Sequence, residues 1–180
     1  MYIFKPKNIY QLNLEFMNWR YYVFTLVFIS GNLFFPWLAH KFPLGGPMFL
    51  PIYFFVLIGA YKFGWRVGIA TAILSPLTNH LLTGMPQAVM LPTIFVKGLS
   101  MAILAAYIAQ KTRKISFLNL AIIIIGYQGI GMLFEGIYTK SIAKAFQDII
   151  IGYPGLIIQL VVGYFVIWFL RDYGKTTAST

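Results

Sequence analysis

The chain has no cysteine, which excludes disulfides, thiolate catalysis and cysteine-bound metal. Acidic residues are almost missing too, with four Asp and Glu against fourteen Lys and Arg, and histidine occurs twice. So few carboxylates and imidazoles leave scarcely a candidate for a proton relay or a hydrolytic dyad. No GxxxxGK[ST] phosphate loop occurs, which closes that route to ATP hydrolysis. No HExxH or other metal-ligand spacing occurs either, so no metal or cofactor is expected. Charge of any kind is scarce, at 10% of 180 residues, where a soluble domain carries about 25%. Hydrophobic residues make up 59%. There are too few polar side chains to clothe a water-soluble globule, and the composition is that of an integral membrane protein. An enzyme is disfavoured, without being excluded.

The net charge of +10 does not mark a nucleic-acid binder, because the cations are scattered between apolar runs rather than gathered on one stripe. Their positions read as topology. A bilayer core of roughly 30 Å needs about 20 apolar residues per helix. Six segments qualify, about 21–38, 48–63, 66–84, 88–110, 116–138 and 148–170. With a cytoplasmic N-terminus, the inner side holds Lys5, Lys7, Arg20, Lys62, Arg66, Lys111, Arg113, Lys114, Arg171 and Lys175. The outer side holds Lys41, Lys140 and Lys144. That asymmetry predicts an N-in, C-in protein. Trp19, Tyr21, Tyr22, Trp65, Trp168 and Tyr173 fall at the inner interface, where an aromatic belt belongs. The N-terminal stretch lacks the pattern of a removable signal peptide. No repeat or second domain interrupts residues 1–180.

The second and third segments are nearly fused, and "YKFGWR" is expected to divide them by a tight turn into water at Lys62, Gly64 and Arg66. The outer loop "HKFPLGGPMFLP" (His40–Pro51) stays apolar and rich in Pro and Gly, which suits a flap. "LTGMPQ" (Leu82–Gln87) reads as a sharp turn, and "YTKSIAKAFQD" (Tyr138–Asp148) as a polar, basic loop.

One residue is out of place. Lys97 lies within "LPTIFVKGLSMAILAAYIAQK", roughly 10–15 Å below the outer surface at about 1.5 Å per residue. An ammonium there needs a partner. Gln128 and Glu135 are seven apart on the fifth segment and share a face with Gly131. Gln159 lies mid-way down the sixth, on a stripe with Asp148, Gly152, Gly155 and Gly163. Asn32 lies in the outer half of the first segment, and Asn79 and His80 end the third. The polar intramembrane residues are thus predicted in the outer half or at mid-depth, facing the bundle interior. That pattern reads as a polar pocket open outward and closed below. Plainer roles stand beside it: Lys97 with Glu135 as an internal brace, Gln128 and Gln159 as interhelical glue, Asn79 and His80 as a helix cap. The small residues Gly64, Gly68 and Ala72, and likewise Gly98, Ala102 and Ala106, recur every four positions. They fit close packing inside the bundle or a docking face for a partner.

The stretch from Gly45 to Ala106 resembles the S components of energy-coupling factor (ECF) vitamin transporters, in the riboflavin/pantothenate-like branch. The resemblance is carried by Gly45–Pro51 with its "FLP", the glycines from Gly59 to Gly68, "SPL" at Ser75–Leu77, "LLTGMP" at Leu81–Pro86, and the small residues from Gly98 to Ala106. It covers about a third of the chain closely, and length and helix count extend it. It implies an all-α six-helix membrane bundle in a bacterial plasma membrane. Such a protein captures a water-soluble vitamin from outside and docks on a transmembrane T subunit driven by two ATPase subunits, toppling to deliver its cargo inward. It implies a substrate site at Lys97, Gln128, Glu135, Gln159, Asn32, His80 and Asn79, with Lys97 facing an anionic group such as a carboxylate. The alanine-x-x-x-alanine docking pair common in the first helix of that family is missing from "YYVFTLVFISGNLFFPWLAH". Docking would then fall to Gly64, Gly68 and Ala72. Riboflavin, pantothenate, folate, pyridoxine and cobalamin all remain open as ligands. A small secondary transporter, a membrane-embedded enzyme and a purely structural subunit are the alternatives.

Overall fold

The computed structural model describes residues 6–39 and 48–174, apart from the side chains of Ala39, Lys144, Gln147 and Asp148. Most of the expected flap, from His40 to Pro47, therefore lies outside the described residues, as does the Asp148 side chain. The fold is all-α. Its helices are α1 (Trp19–Ala39), α2 (Pro51–Phe63), α3 (Trp65–Thr83), α4 (Leu91–Thr112), α5 (Phe117–Thr139) and α6 (Ile142–Phe169). Among the described residues a single antiparallel pairing joins β1 (Lys7–Asn8) to β2 (Lys114–Ile115).

Each predicted segment overlaps one of these helices, but they are unlike one another. Four are long and apolar enough to cross a membrane: Trp19–Leu38, Ala88–Thr112, Phe117–Thr139 and Ile149–Phe169. Their outward faces are apolar. On α6 alone Ile150, Tyr153, Ile157, Val161, Phe165 and Phe169 are exposed, as suits a chain whose solvent is lipid. α2 has 13 residues, about 20 Å of helix. α3 carries Thr71, Ser75 and Asn79, all buried, and so falls short in apolarity. α2 is the more interior of the two, since α3 exposes Leu74, Leu81 and Leu82. α2 touches α1, α3, α4 and α6, with Leu57, Ala60 and Tyr61 sealed from solvent, while α3 packs on α4, α4 on α5 and α5 on α6.

Small residues set these close approaches. A Cβ on Gly68 would lie 2.5 Å from the Cβ of Ala60 and 3.2 Å from that of Ala102. One on Gly98 would lie 3.2 Å from the Cβ of Ala72. Gly64, Gly68 and Ala72 all pack within the chain. Gly68 and Ala72 are buried between helices, and Gly64 lies beneath Asn13.

The α2–α3 corner also departs from expectation. α2 widens to a π-helix over Gly59–Phe63, and Gly64, at φ 104°, breaks it before Trp65 starts α3. Lys62 does not turn into water. It is completely buried, and its ammonium donates to the carbonyls of Tyr10, Arg171 (3.1 Å) and Tyr173 (2.9 Å). The N-terminal segment lies across this end of the bundle. Ile9 N donates to Arg113 O at 2.9 Å, Tyr10 N to Arg171 O at 3.3 Å, and Leu12 and Leu14 N to Lys62 and Phe63 O, each at 2.9 Å. The last carbonyls of α2, which have no helical donor, are capped in this way, and the Lys62 charge sits at the negative end of α6. Arg66 does stay near the surface, its guanidinium 4.8 Å from the Trp65 ring.

Candidate functional site

The expected site residues fall into three groups. The first lies between α4 and α5. Lys97 Nζ donates to Glu135 Oε2 at 2.8 Å, with Lys97 fully buried and the Glu135 side chain 16% exposed. The lysine reaches its partner by lying across Gly131, where an added Cβ would fall 2.3 to 2.8 Å from the lysine Cγ, Cε and Cδ. The internal brace is therefore formed, and Gly131 is the residue that admits it. Gln128 is on the same face of α5, one turn before Gly131. It is 4% exposed, and neither its Nε2 nor its Oε1 has a hydrogen-bond partner.

The second group joins α5 and α6 to the start of α2. Tyr127 OH donates to Gln159 Oε1 at 2.9 Å, and Gln159 Nε2 lies 3.5 Å from the Leu50 carbonyl. Leu50 adopts the left-handed conformation, φ 45°, just before Pro51 opens α2. A Cβ on Gly155 would lie 2.4 Å from the Phe49 carbonyl oxygen, so the end of the expected flap rests on α6 one turn from Gln159. Gly163 admits Leu57, whose Cδ2 would lie 3.3 Å from an added Cβ. The small-and-polar stripe of α6 is thus occupied by α2 and its approach. Tyr127, absent from the expected set, completes this group. Its position beside Gln128 was visible, but an aromatic in an apolar run carries no polar signal.

The third group is elsewhere. Asn32 Nδ2 donates to Ser75 Oγ at 3.0 Å, and Asn79 Nδ2 donates to the carbonyls of Asn32 (2.8 Å) and Ser75 (3.2 Å). These side chains brace α1 against α3. His80 closes the turn after α3, with Nδ1 donating to the Pro86 carbonyl at 2.8 Å and Gly84 N to His80 O at 2.9 Å. Asn79 also accepts from Thr83 Oγ1 at 2.8 Å through its carbonyl. These are the brace and cap roles. Ser75, which lies within "SPL", was not singled out as a polar partner.

Two hollows open elsewhere on the surface. One of about 790 Å³ lies along the N-terminal segment, lined by Tyr10, Asn13, Glu15, Asn18 and Arg20. Another of about 350 Å³ lies between α1 and α3 beside Ser30, Trp37 and Asn79. In comparisons with known proteins, no family model matches the chain, and no curated protein or solved structure is significantly similar to it. The resemblance between Gly45 and Ala106 is carried by those residues alone.

Proposed function

We propose that the chain is a membrane-embedded solute-capture subunit of the energy-coupling factor type, with six spans, both ends inside, and ATPase partners elsewhere. The observation that carries this reading is the interior of α4, α5 and α6. There Lys97, Gln128 and Gln159 are each buried in otherwise apolar helices. Intramembrane polar groups concentrated on adjacent helices mark solute paths by default. The opposite end is shut, because the N-terminal segment hydrogen-bonds to the corner at Lys62, to Arg113 and to Arg171. A polar interior closed at one end suits a capture device better than an open channel.

Residues outside the earlier expectation enter this reading. Tyr127 holds Gln159 in place, and Leu50 ties the roof of the site to α6. Asn32, Asn79 and His80 act in the scaffold. With Gly68 and Ala72 enclosed, docking on a T subunit falls to an outward apolar face.

The test is recovery of a bound small molecule. Protein purified from bacterial membranes is expected to release a solute on denaturation, detected by mass spectrometry, and cellular uptake of that solute is expected to need the ATPase partners. Uptake that persists without them would leave a secondary transporter. A protein that never holds a solute would end the proposal.

A further inference from the structure

Gln128 is anomalous. A carboxamide offers two N–H donors and two acceptor lone pairs, and burying them without partners costs about 1–3 kcal/mol per group. Among the described residues it is the one buried carboxamide whose donor and acceptor both lack a partner. The other polar side chains of α4 to α6 near it are engaged: Gln159 by Tyr127 and Leu50, Lys97 by Glu135. Its neighbours along the face are Ile124, one turn before, and Gly131, one turn after, where the methylenes of Lys97 lie. An interior amide in apolar surroundings is matched by a group that both donates and accepts.

The Lys97–Glu135 pair sets the charge of that group. An anion arriving at Lys97 meets an ammonium already bonded to a carboxylate at 2.8 Å. It must displace Glu135 or stand beside it, and two carboxylates sharing one site repel. A lone cation on a membrane helix would select an acid; a compensated one does not.

We infer that the solute taken by this site is not an anion, and that it presents an amide-type edge, N–H beside C=O, to the carboxamide of Gln128. Two parallel hydrogen bonds then form between like groups. The seven residues from Gln128 to Glu135 rise about 10 Å, the span of a small ring system. This inference rests on the capture reading above and replaces the carboxylate ligand that an uncompensated Lys97 implies.

Matched probes test it. The full chain in lipid nanodiscs is titrated with uracil against uracil-6-carboxylate, and with nicotinamide against nicotinate, at up to millimolar concentration. Thermal unfolding and calorimetry are the readouts. An amide member of a pair is expected to raise the unfolding midpoint while its acid does not. Gln128→Leu is expected to weaken that binding at least about tenfold, while raising the midpoint of the protein without probe. Gln128→Glu, which keeps the shape and loses the donors, serves if the leucine variant does not fold, and is expected to weaken binding likewise. Acids that bind as well as amides, with binding lost in Lys97→Met, would overturn the inference and leave solute capture standing. Amide binding that survives both Gln128 variants would overturn the inference in the same way. No response to any probe would overturn it, and absence of a copurified solute as well would remove the capture reading.

Discussion

At the scale of single residues, the Lys97–Glu135 contact joins two side chains 38 positions apart in sequence. Taking away one member of a buried pair is harsher than taking away both, because the survivor is a charge with poor solvation. Lys97→Met is expected to destabilise the protein by about 3 kcal/mol, since Glu135 at 16% exposure has little water to fall back on. Adding Glu135→Gln to it should restore at least half of that loss. A double-mutant cycle on unfolding midpoints measures the coupling, and additive losses would show that the pair is not coupled. Gly131→Ala belongs with this test, because its Cβ would overlap the lysine stem. It is expected to destabilise by about 1–3 kcal/mol. Lys97 and Glu135 could be read from the sequence as partners, since an interior ammonium demands an anion. The division of Asn32 and Asn79 from them could not be, because depth along a helix says nothing of which neighbour a face meets.

At the scale of elements, glycine position separates structure from mere composition. Gly68 sits against Ala60 and Ala102, whereas a Cβ on Gly129, also within a helix, meets nothing within 4 Å. Gly68→Ala is expected to force α2 and α3 apart and lower the unfolding midpoint by several degrees, while Gly129→Ala is neutral or slightly stabilising. Equal effects from the two would contradict the packing described. The same scale shows what the pattern of hydrophobicity conveys. The long apolar runs of α4, α5 and α6 give their helices directly, because their outward faces meet lipid and must be apolar throughout. The corner between α2 and α3 was misread at Lys62 because a lysine beside a glycine ordinarily marks a hydrated turn. Here the carbonyls that satisfy its ammonium come from Tyr10, Arg171 and Tyr173, and no local pattern links such distant residues. Lys62→Met is expected to loosen the N-terminal segment, read as faster hydrogen exchange at the amides of Leu12 and Leu14, with a loss of about 3 kcal/mol in stability.

For the whole molecule, the absence of cysteine makes topology directly measurable, because every thiol can be a chosen one. Single cysteines at Lys111 and Asp172 are expected to react with a membrane-impermeant maleimide only after permeabilisation. One at Lys140, between α5 and α6, should react in intact cells. All three residues are exposed. The opposite pattern would invert the orientation derived from the lysine and arginine count.

The bonds between Tyr10 and Arg171 also fix an order of events during synthesis. The seat of the segment around Tyr10 is built from Lys62, Arg113 and Arg171 together, so it does not exist until Arg171 has left the ribosome. Residues 9–14 are made long before their seat and find their place only after it. Until then the nascent protein carries an undocked leader and an interior lysine awaiting its acceptors, and a chain stopped short of residue 171 would be a substrate for quality-control proteases rather than a smaller working protein.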